Sequence, residues 1–182
     1  MPHLIEPSLL PAQSFRAGMA DFIAEGRGRL DDDSAIAHEI REFSDRWHTD
    51  AGLAEFIESL RRAGDPTVPA PLGWVHSSTY WWVDGERYLG SIRIRHNLSV
   101  PKLLIGGHIG YDIAPRARRN GHGTAMLAAA LPMAARLGIE SVLISCDTDN
   151  IGSRKIIEAN GGRFCDERDG KLRYWVATNQ SA

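Results

Sequence analysis

The chain has 182 residues, 43% hydrophobic and 24% charged, with a formal net charge of -2. That length suits one domain with a sizeable core, the composition excludes disordered and fibrous classes, and the charge gives no support to a nucleic-acid partner. Cys146 and Cys165 are the only cysteines, which excludes a disulfide framework and a CxxC zinc pair, so no metal and a reducing compartment are expected.

No apolar run approaches the roughly 20 residues that span a bilayer, and "MPHLIEPSLLPAQ" lacks a basic segment followed by an apolar one. The expectation is a cytoplasmic protein without a membrane partner. The first helix is read in "PAQSFRAGMADFIAEG", which puts Phe15, Met19, Phe22 and Ile23 on one face and stops at Gly26. The loop "RGRLDDDS" offers Asp33 or Ser34 as the cap of a short helix near residues 35–43. A further helix in "LAEFIESLRRAG" aligns Leu53, Phe56, Ile57 and Leu60 and ends at Gly64, and "GDPTVPAPLG" is a Pro-rich connection.

Strands follow. "STYWWV", the dipeptide Asp84-Gly85 and "RYLGSIRIRH" predict a hairpin in which Ile92 and Ile94 alternate with Arg93 and Arg95. Trp81 and Trp82 point to opposite faces, so one belongs to the core and the other is expected to wall an acceptor cleft. An RNA-stacking platform would use such aromatics too, but the charge balance argues against it. "GGHIGYDI" is the third strand, followed by "APRARRNGHGTAM" and a helix through Leu137, with Met126, Leu127, Ala130, Leu131 and Ala134 inward and a kink expected at Pro132. "SVLISC" reads as a strand covered on both faces, "IGSRKIIEANGG" as a short helix, and "GGRFCDERDGKLRYWVA" as a closing hairpin turning at Asp169-Gly170. The fold class is α/β (α+β), a mixed, mostly antiparallel central sheet flanked by helices.

The stretch from Arg118 to Thr124 has the parts of an anion site, because glycines admit a ligand to the backbone and the first N–H groups of a helix have no internal partner. It matches neither the Walker pattern nor the dinucleotide fingerprint. With the strand before it, "GGHIGYDIAPRARRNGHGTAML" resembles the central motif of the GNAT superfamily of acyl-CoA-dependent N-acyltransferases, and "DNIGSRKIIEANGGRF" resembles that family's second signature. The resemblance spans residues 78–177. Residues 1–70 fit the family's order as an acceptor-side helical part, giving a single N-acetyltransferase domain over 1–182.

The resemblance implies acetyl-CoA as acyl donor, with Ile113 at the pantetheine arm. Arg118, Arg119, Asn120, Gly121, His122, Gly123 and Thr124 then fall at the pyrophosphate, and Asn150 and Ser153 at the pantetheine or its water. It implies direct transfer of an acetyl group to the primary amine of a small molecule or peptide, with a backbone N–H near Ile113 serving the oxyanion. The family's strand often carries a Glu as general base where this chain has His108, which can act as a base or be a hydrogen-bonded sheet histidine. Many members place an acidic Tyr where this chain has Ile157. Tyr111, Tyr174 or a water held by Asn150 can stand in, or the thiolate can leave unaided. That departure keeps open a non-catalytic acyl-CoA-binding or regulatory module, and the acidic helices keep open an interaction domain.

Cys146 lies beside Asp147 and Asp149 but shows no base, so it is read as core. Asp149 is read as the cap of the helix at Ile151. Residues 1–64 carry 12 Asp and Glu against 7 Arg, and residues 65–182 carry 11 against 14 Lys and Arg. This asymmetry suits a cationic acceptor, or simply a solvated surface. The edge of the last hairpin offers a homodimer contact.

Overall fold

A computed structural model of the protein describes residues 1–99 and 103–179. In chain order the elements are β1 (His3–Ile5), α1 (Ala12–Ala24), α2 (Ala35–Phe43), α3 (Asp50–Gly64), β2 (Ser77–Asp84), β3 (Arg87–Arg95), α4 (Leu103–Gly106), β4 (Ile109–Ile113), α5 (His122–Arg136), β5 (Ser141–Asp147), α6 (Ile151–Ala159), β6 (Arg163–Arg168) and β7 (Lys171–Ala177). One sheet holds all seven strands in the order β1-β2-β3-β4-β5-β7-β6, and β4 with β5 is its parallel pair. This is the mixed, mostly antiparallel sheet that the sequence predicts.

The helices form where the apolar stripe and the caps agree. In α1, Phe15, Met19 and Phe22 are buried, but Ile23 is 45% exposed because it falls at the margin of that stripe. The Ser34 hydroxyl accepts the Ala37 N–H at 3.3 Å and so starts α2, and the Thr49 hydroxyl accepts the Gly52 N–H at 3.1 Å to start α3. The long helix α5 continues through Pro132, whose side chain is exposed.

The β2–β3 hairpin turns one residue later than the Asp84-Gly85 dipeptide suggests. Asp84 pairs with Arg87, so Gly85 and Glu86 are the central residues, and Gly85 takes the single positive φ of +60. The closing hairpin turns at Asp169-Gly170 as expected, with Arg168 opposite Lys171.

Helices cover both faces of β2, so both tryptophans are core. Trp81 stacks on Phe15 of α1 with centroids 4.7 Å apart, while the Trp82 indole N–H reaches His122 Nδ1 of α5 at 3.4 Å. The expectation that one of the pair lines a cleft is corrected by their exposures of 1% and 4%. Antiparallel partners share a face, so register extends this division across the sheet. Ile92, Ile94, Ile109 and Tyr111 look toward α5 and α6, and Ser91, Arg93, Arg95, His108, Gly110 and Asp112 look toward the side of α1 and α2. Among the described residues no helix is long and apolar enough to cross a membrane.

Candidate active site

The site is built where β4 and β5 part. Their register contains one pair, Ile109 with Ile144, after which β4 runs on to Ile113 and β5 to Asp147 without a ladder between them. Backbone groups alternate along a strand, and the Ala114 N–H goes to Leu89 of β3. The amides of Tyr111 and Ile113 therefore face the wedge, an edge on which an extended amide-bearing chain can pair.

The predicted cradle closes the wide end of this wedge. Arg119 has φ +65 and Gly121 φ +76, and the first bond into α5 runs from the Ala125 N–H to the Gly121 carbonyl. Among the described residues the N–H groups of 119–124 have no backbone partner, and alternation of right- and left-handed residues turns such amides into an anion-binding nest. A Cβ on Gly121 would meet nothing within 4 Å, so the nest is open. A Cβ on Gly123 would lie 2.4 Å from Ile156 Cδ1, which explains the small residue there as close packing of α5 on α6.

The predicted side chains divide. Arg118 is turned away from the nest: its guanidinium forms a two-point pair with Glu25 at 2.9 and 2.8 Å, and its Nε donates to the Ile113 carbonyl at 3.1 Å. Asn120 donates to the Arg118 carbonyl at 2.9 Å and fastens the turn. Arg119 is exposed, and among the described residues it has no ion-pair partner. His122 meets Trp82, and the Thr124 carbonyl accepts from Asn160 Nδ2 at 3.2 Å.

Across the wedge the structure brings Tyr111, Asn150 and Ser153 together. The Tyr111 hydroxyl lies 2.6 Å from Ser153 Oγ, and the Ser153 N–H donates to Asn150 Oδ1 at 3.0 Å. Asn150 is thus the cap of α6, which corrects the assignment of that cap to Asp149. Asp147 pairs with Lys171 at 2.5 Å. Burial pushes the Tyr111 hydroxyl well above the usual phenol range, against the bond from Ser153, so it stays protonated at neutral pH. Ile157 has no exposed surface and belongs to the core. Cys146 is buried as expected, and burial raises its thiol further above neutrality. Tyr174 is 2% exposed and joins the core.

His108 and Asp112 lie on the opposite face of β4. The His108 Nδ1 accepts the Leu143 N–H at 2.9 Å, and the His108 backbone N–H donates to the Leu143 carbonyl at 2.7 Å. Since an amide N–H can only donate, Nδ1 is the unprotonated nitrogen and Nε2 carries the hydrogen. Burial, then the charge of Arg95, lowers the His108 pKa, consistent with a neutral ring. The geometry is that of a hydrogen-bonded sheet histidine, which completes the joint from which β4 and β5 part.

Asp112 went unmarked as a site residue in the sequence, although a carboxylate within "GYDI" was the available signal. Its Oδ1 is 3.3 Å from Arg27 Nη1, and Arg27 also holds Asp32 at 2.7 Å and the Ser34 hydroxyl at 2.6 Å. Burial raises the Asp112 pKa against the pull of Arg27. Glu39 pairs with Arg93, both 17% exposed, and burial likewise raises Glu39. Between His108 and Asp112 lies Gly110, where a Cβ would meet nothing within 4 Å. That face thus has a bare floor with a donor at one end and a carboxylate at the other. Among the described residues no group of His, Cys, Asp and Glu is gathered that could hold a metal ion.

Comparison with known proteins agrees with this layout. The family described as acetyltransferase (GNAT) domain matches residues 30–163. Its match reaches back through α2 and α3, beyond the boundary at residue 78 expected from the motifs. No curated protein matches the chain in sequence. Among solved structures, the microcin C7 self-immunity acetyltransferase MccE, in complex with acetyl-CoA and AMP, is similar at a TM-score of 0.63 and 13% identity, over 97% of this chain and 92% of that one. RimJ of Mycobacterium smegmatis, in complex with CoA-disulfide, gives 0.63 and 16%, over 96% and 80%. The ribosomal alpha-N-protein acetyltransferase RimL, in complex with coenzyme A, gives 0.60 and 15%, over 97% and 92%. With more than half of its length matched by the family and its fold shared with these structures, the chain belongs to the GNAT acetyltransferases.

Proposed function

We propose that the protein transfers an acetyl group from acetyl-CoA directly to the primary amine of a small molecule or peptide. The observation that carries this reading is the unpaired wedge between β4 and β5, which has an amide nest at its wide end. The nest takes the pyrophosphate through the N–H groups of 119–124, with Arg119 as the side-chain cation and Arg118 as a brace to Glu25. The pantetheine lies against Tyr111, Ile113, Asn150 and Ser153. Solved structures of similar fold that contain acetyl-CoA or coenzyme A support that donor.

The acceptor enters over Gly110. Its neutral amine attacks the thioester carbonyl carbon, so a C–N bond forms, the carbonyl electrons move to oxygen and the Ile113 N–H stabilises them. The C–S bond then breaks. The amine proton passes to Asp112, directly or through one water, because His108 has its only lone pair engaged by Leu143. The Tyr111 hydroxyl, kept protonated by burial, donates a hydrogen bond to the departing thiolate, which takes its proton from solvent.

Thiol release from acetyl-CoA across a panel of amines tests the reading. Coenzyme A should raise the melting temperature, since a ligand of the native state alone must stabilise it, and thiol should appear only when an amine is present. Coenzyme A binding with no thiol release on any amine would leave the non-catalytic module instead.

A further inference from the structure

The face of β4 that receives the acceptor holds more arginine than its carboxylates account for. Arg93 is paired with Glu39, and Arg173 of β7 is held by Asp166 through two bonds of 2.6 and 2.5 Å. Arg27 is shared between Asp32 and Asp112. Arg95 is different: among the described residues its side chain makes one bond, from Nη1 to the Gly107 carbonyl at 2.9 Å, and no carboxylate pairs with it. Burial and the charge of Arg93 pull this guanidinium down to about 10, the sign of a cation held without its counterion.

Its remaining donors are not sealed. Among the described residues no buried side-chain nitrogen lacks a partner, so the unpaired N–H groups of Arg95 open onto solvent. The same holds for His108 Nε2, which among the described residues has no partner although the residue is only 9% exposed. The two residues are adjacent across the strands, with the Arg95 N–H bonded to the His108 carbonyl at 2.7 Å. Both side chains lie on the Gly110 side of the sheet, and the protonated Nε2 fixed by Leu143 makes His108 a donor there as well. A guanidinium fork beside a second N–H is suited to a carboxylate.

Resting on the acetyltransferase reading above, we infer that the acceptor is a zwitterion whose carboxylate is held by Arg95 and His108 while its amine lies over Gly110 toward Asp112. The order is compatible: His108, Gly110 and Asp112 follow one another on one face of the strand, with the anion-binding donors at one end and the carboxylate at the other. This replaces the cationic acceptor suggested by the acidic N-terminal third, where Asp21, Glu25, Asp32, Glu39 and Asp50 are taken up by arginines of the same chain.

The test uses free amino acids and their carboxamides as paired acceptors, with wild type, Arg95→Gln and Arg95→Lys. Gln keeps a donor for the Gly107 carbonyl, and thermal melts check that the variants fold. Wild type should favour the carboxylate of a pair at least tenfold in kcat/KM, through KM. Arg95→Gln should bring the ratio near one, and Arg95→Lys should restore part of it. Equal rates for both members of every pair, or an undiminished preference in Arg95→Gln, would overturn the inference. If no acceptor turns over, the transferase reading fails, and binding then decides the anion site separately. Amino acids that raise the melting temperature of the wild-type coenzyme A complex but not of Arg95→Gln support it, and no such rise overturns it.

Discussion

Asp112 and His108 share one face of β4 and are separated in role by their hydrogen bonds. The imidazole can take a proton only by giving up the Leu143 N–H, whereas the Asp112 carboxylate has a raised pKa from burial and shares its face of β4 with the bare Gly110. A base must be ionised to work, so activity should rise as pH climbs through this raised value and level off above it. Asp112→Asn should lower kcat/KM by about 10²-fold or more at neutral pH and remove that acidic limb, while Arg27 keeps Asp32 as its partner. A pH-rate profile of the variant that retains the limb would assign it to the amine instead. Both residues stand within "GGHIGYDI", and the sequence leaves His108 open between a base and a hydrogen-bonded sheet histidine for a physical reason. Which lone pair of His108 is free depends on an amide 35 positions away, and no local pattern carries that contact. By contrast, the open amides between Arg119 and Thr124 were legible because they are a local property of backbone and glycine. The loss of Arg118 to Glu25 was not, because the partner is 93 positions distant.

Two glycines in neighbouring strands separate packing from function at the level of elements. A Cβ on Gly90 of β3 would lie 2.4 Å from the Asp112 carbonyl oxygen, a backbone atom that cannot yield without moving β4. Gly90→Ala should therefore cost about 1 to 3 kcal/mol in chemical denaturation and disturb the Asp112 carboxylate as well. Gly110 meets nothing within 4 Å. Gly110→Ala should leave the melting temperature within a degree or two of wild type while raising KM for the acceptor severalfold. A lowered melting temperature with unchanged KM would place the acceptor elsewhere. The long helices, the two hairpins and the single strands of "GGHIGYDI" and "SVLISC" were legible because each has its own period or turn dipeptide. β1 is three residues that become a strand only by pairing with Val83, Trp82 and Trp81 of β2, so no periodicity announced it. The roles of Gly90 and Gly110 depend on what the adjacent strand brings near them, which a sequence of isolated strands does not contain.

For the molecule as a whole, the uneven charge of the sequence resolves into internal ion pairs between the helical part and the sheet. Glu25 holds Arg118, Glu39 holds Arg93 and Asp21 holds Arg116, while Arg27 returns the exchange to Asp112. The exposed members contribute little individually, but the Arg27 cluster is half-buried and fastens the loop before α2 to β4 through Asp32, Ser34 and Asp112. Burial alone would raise Asp32, yet bonds from the Ser34 hydroxyl and N–H and from Arg27 outweigh it and hold the carboxyl at about 2. A folded value below the unfolded one gives stability that is complete above the unfolded pKa near 4 and is lost as pH falls toward 2. Asp112 has the opposite sign: its raised value favours the native state most where the carboxyl is neutral, and this advantage fades as pH rises through the carboxylate range. Asp32→Asn should therefore be less stable than wild type at neutral pH, by on the order of 2 kcal/mol at most, with the two curves converging as pH is lowered from 5 to 2. Denaturant melts across that range measure the convergence. A constant gap would mean that Asp32 acts through packing and not through its charge. In wild type the loosening should begin on the acceptor side, because the arginine released by Asp32 is the one that positions Asp112, so activity should decline at a higher pH than the global fold.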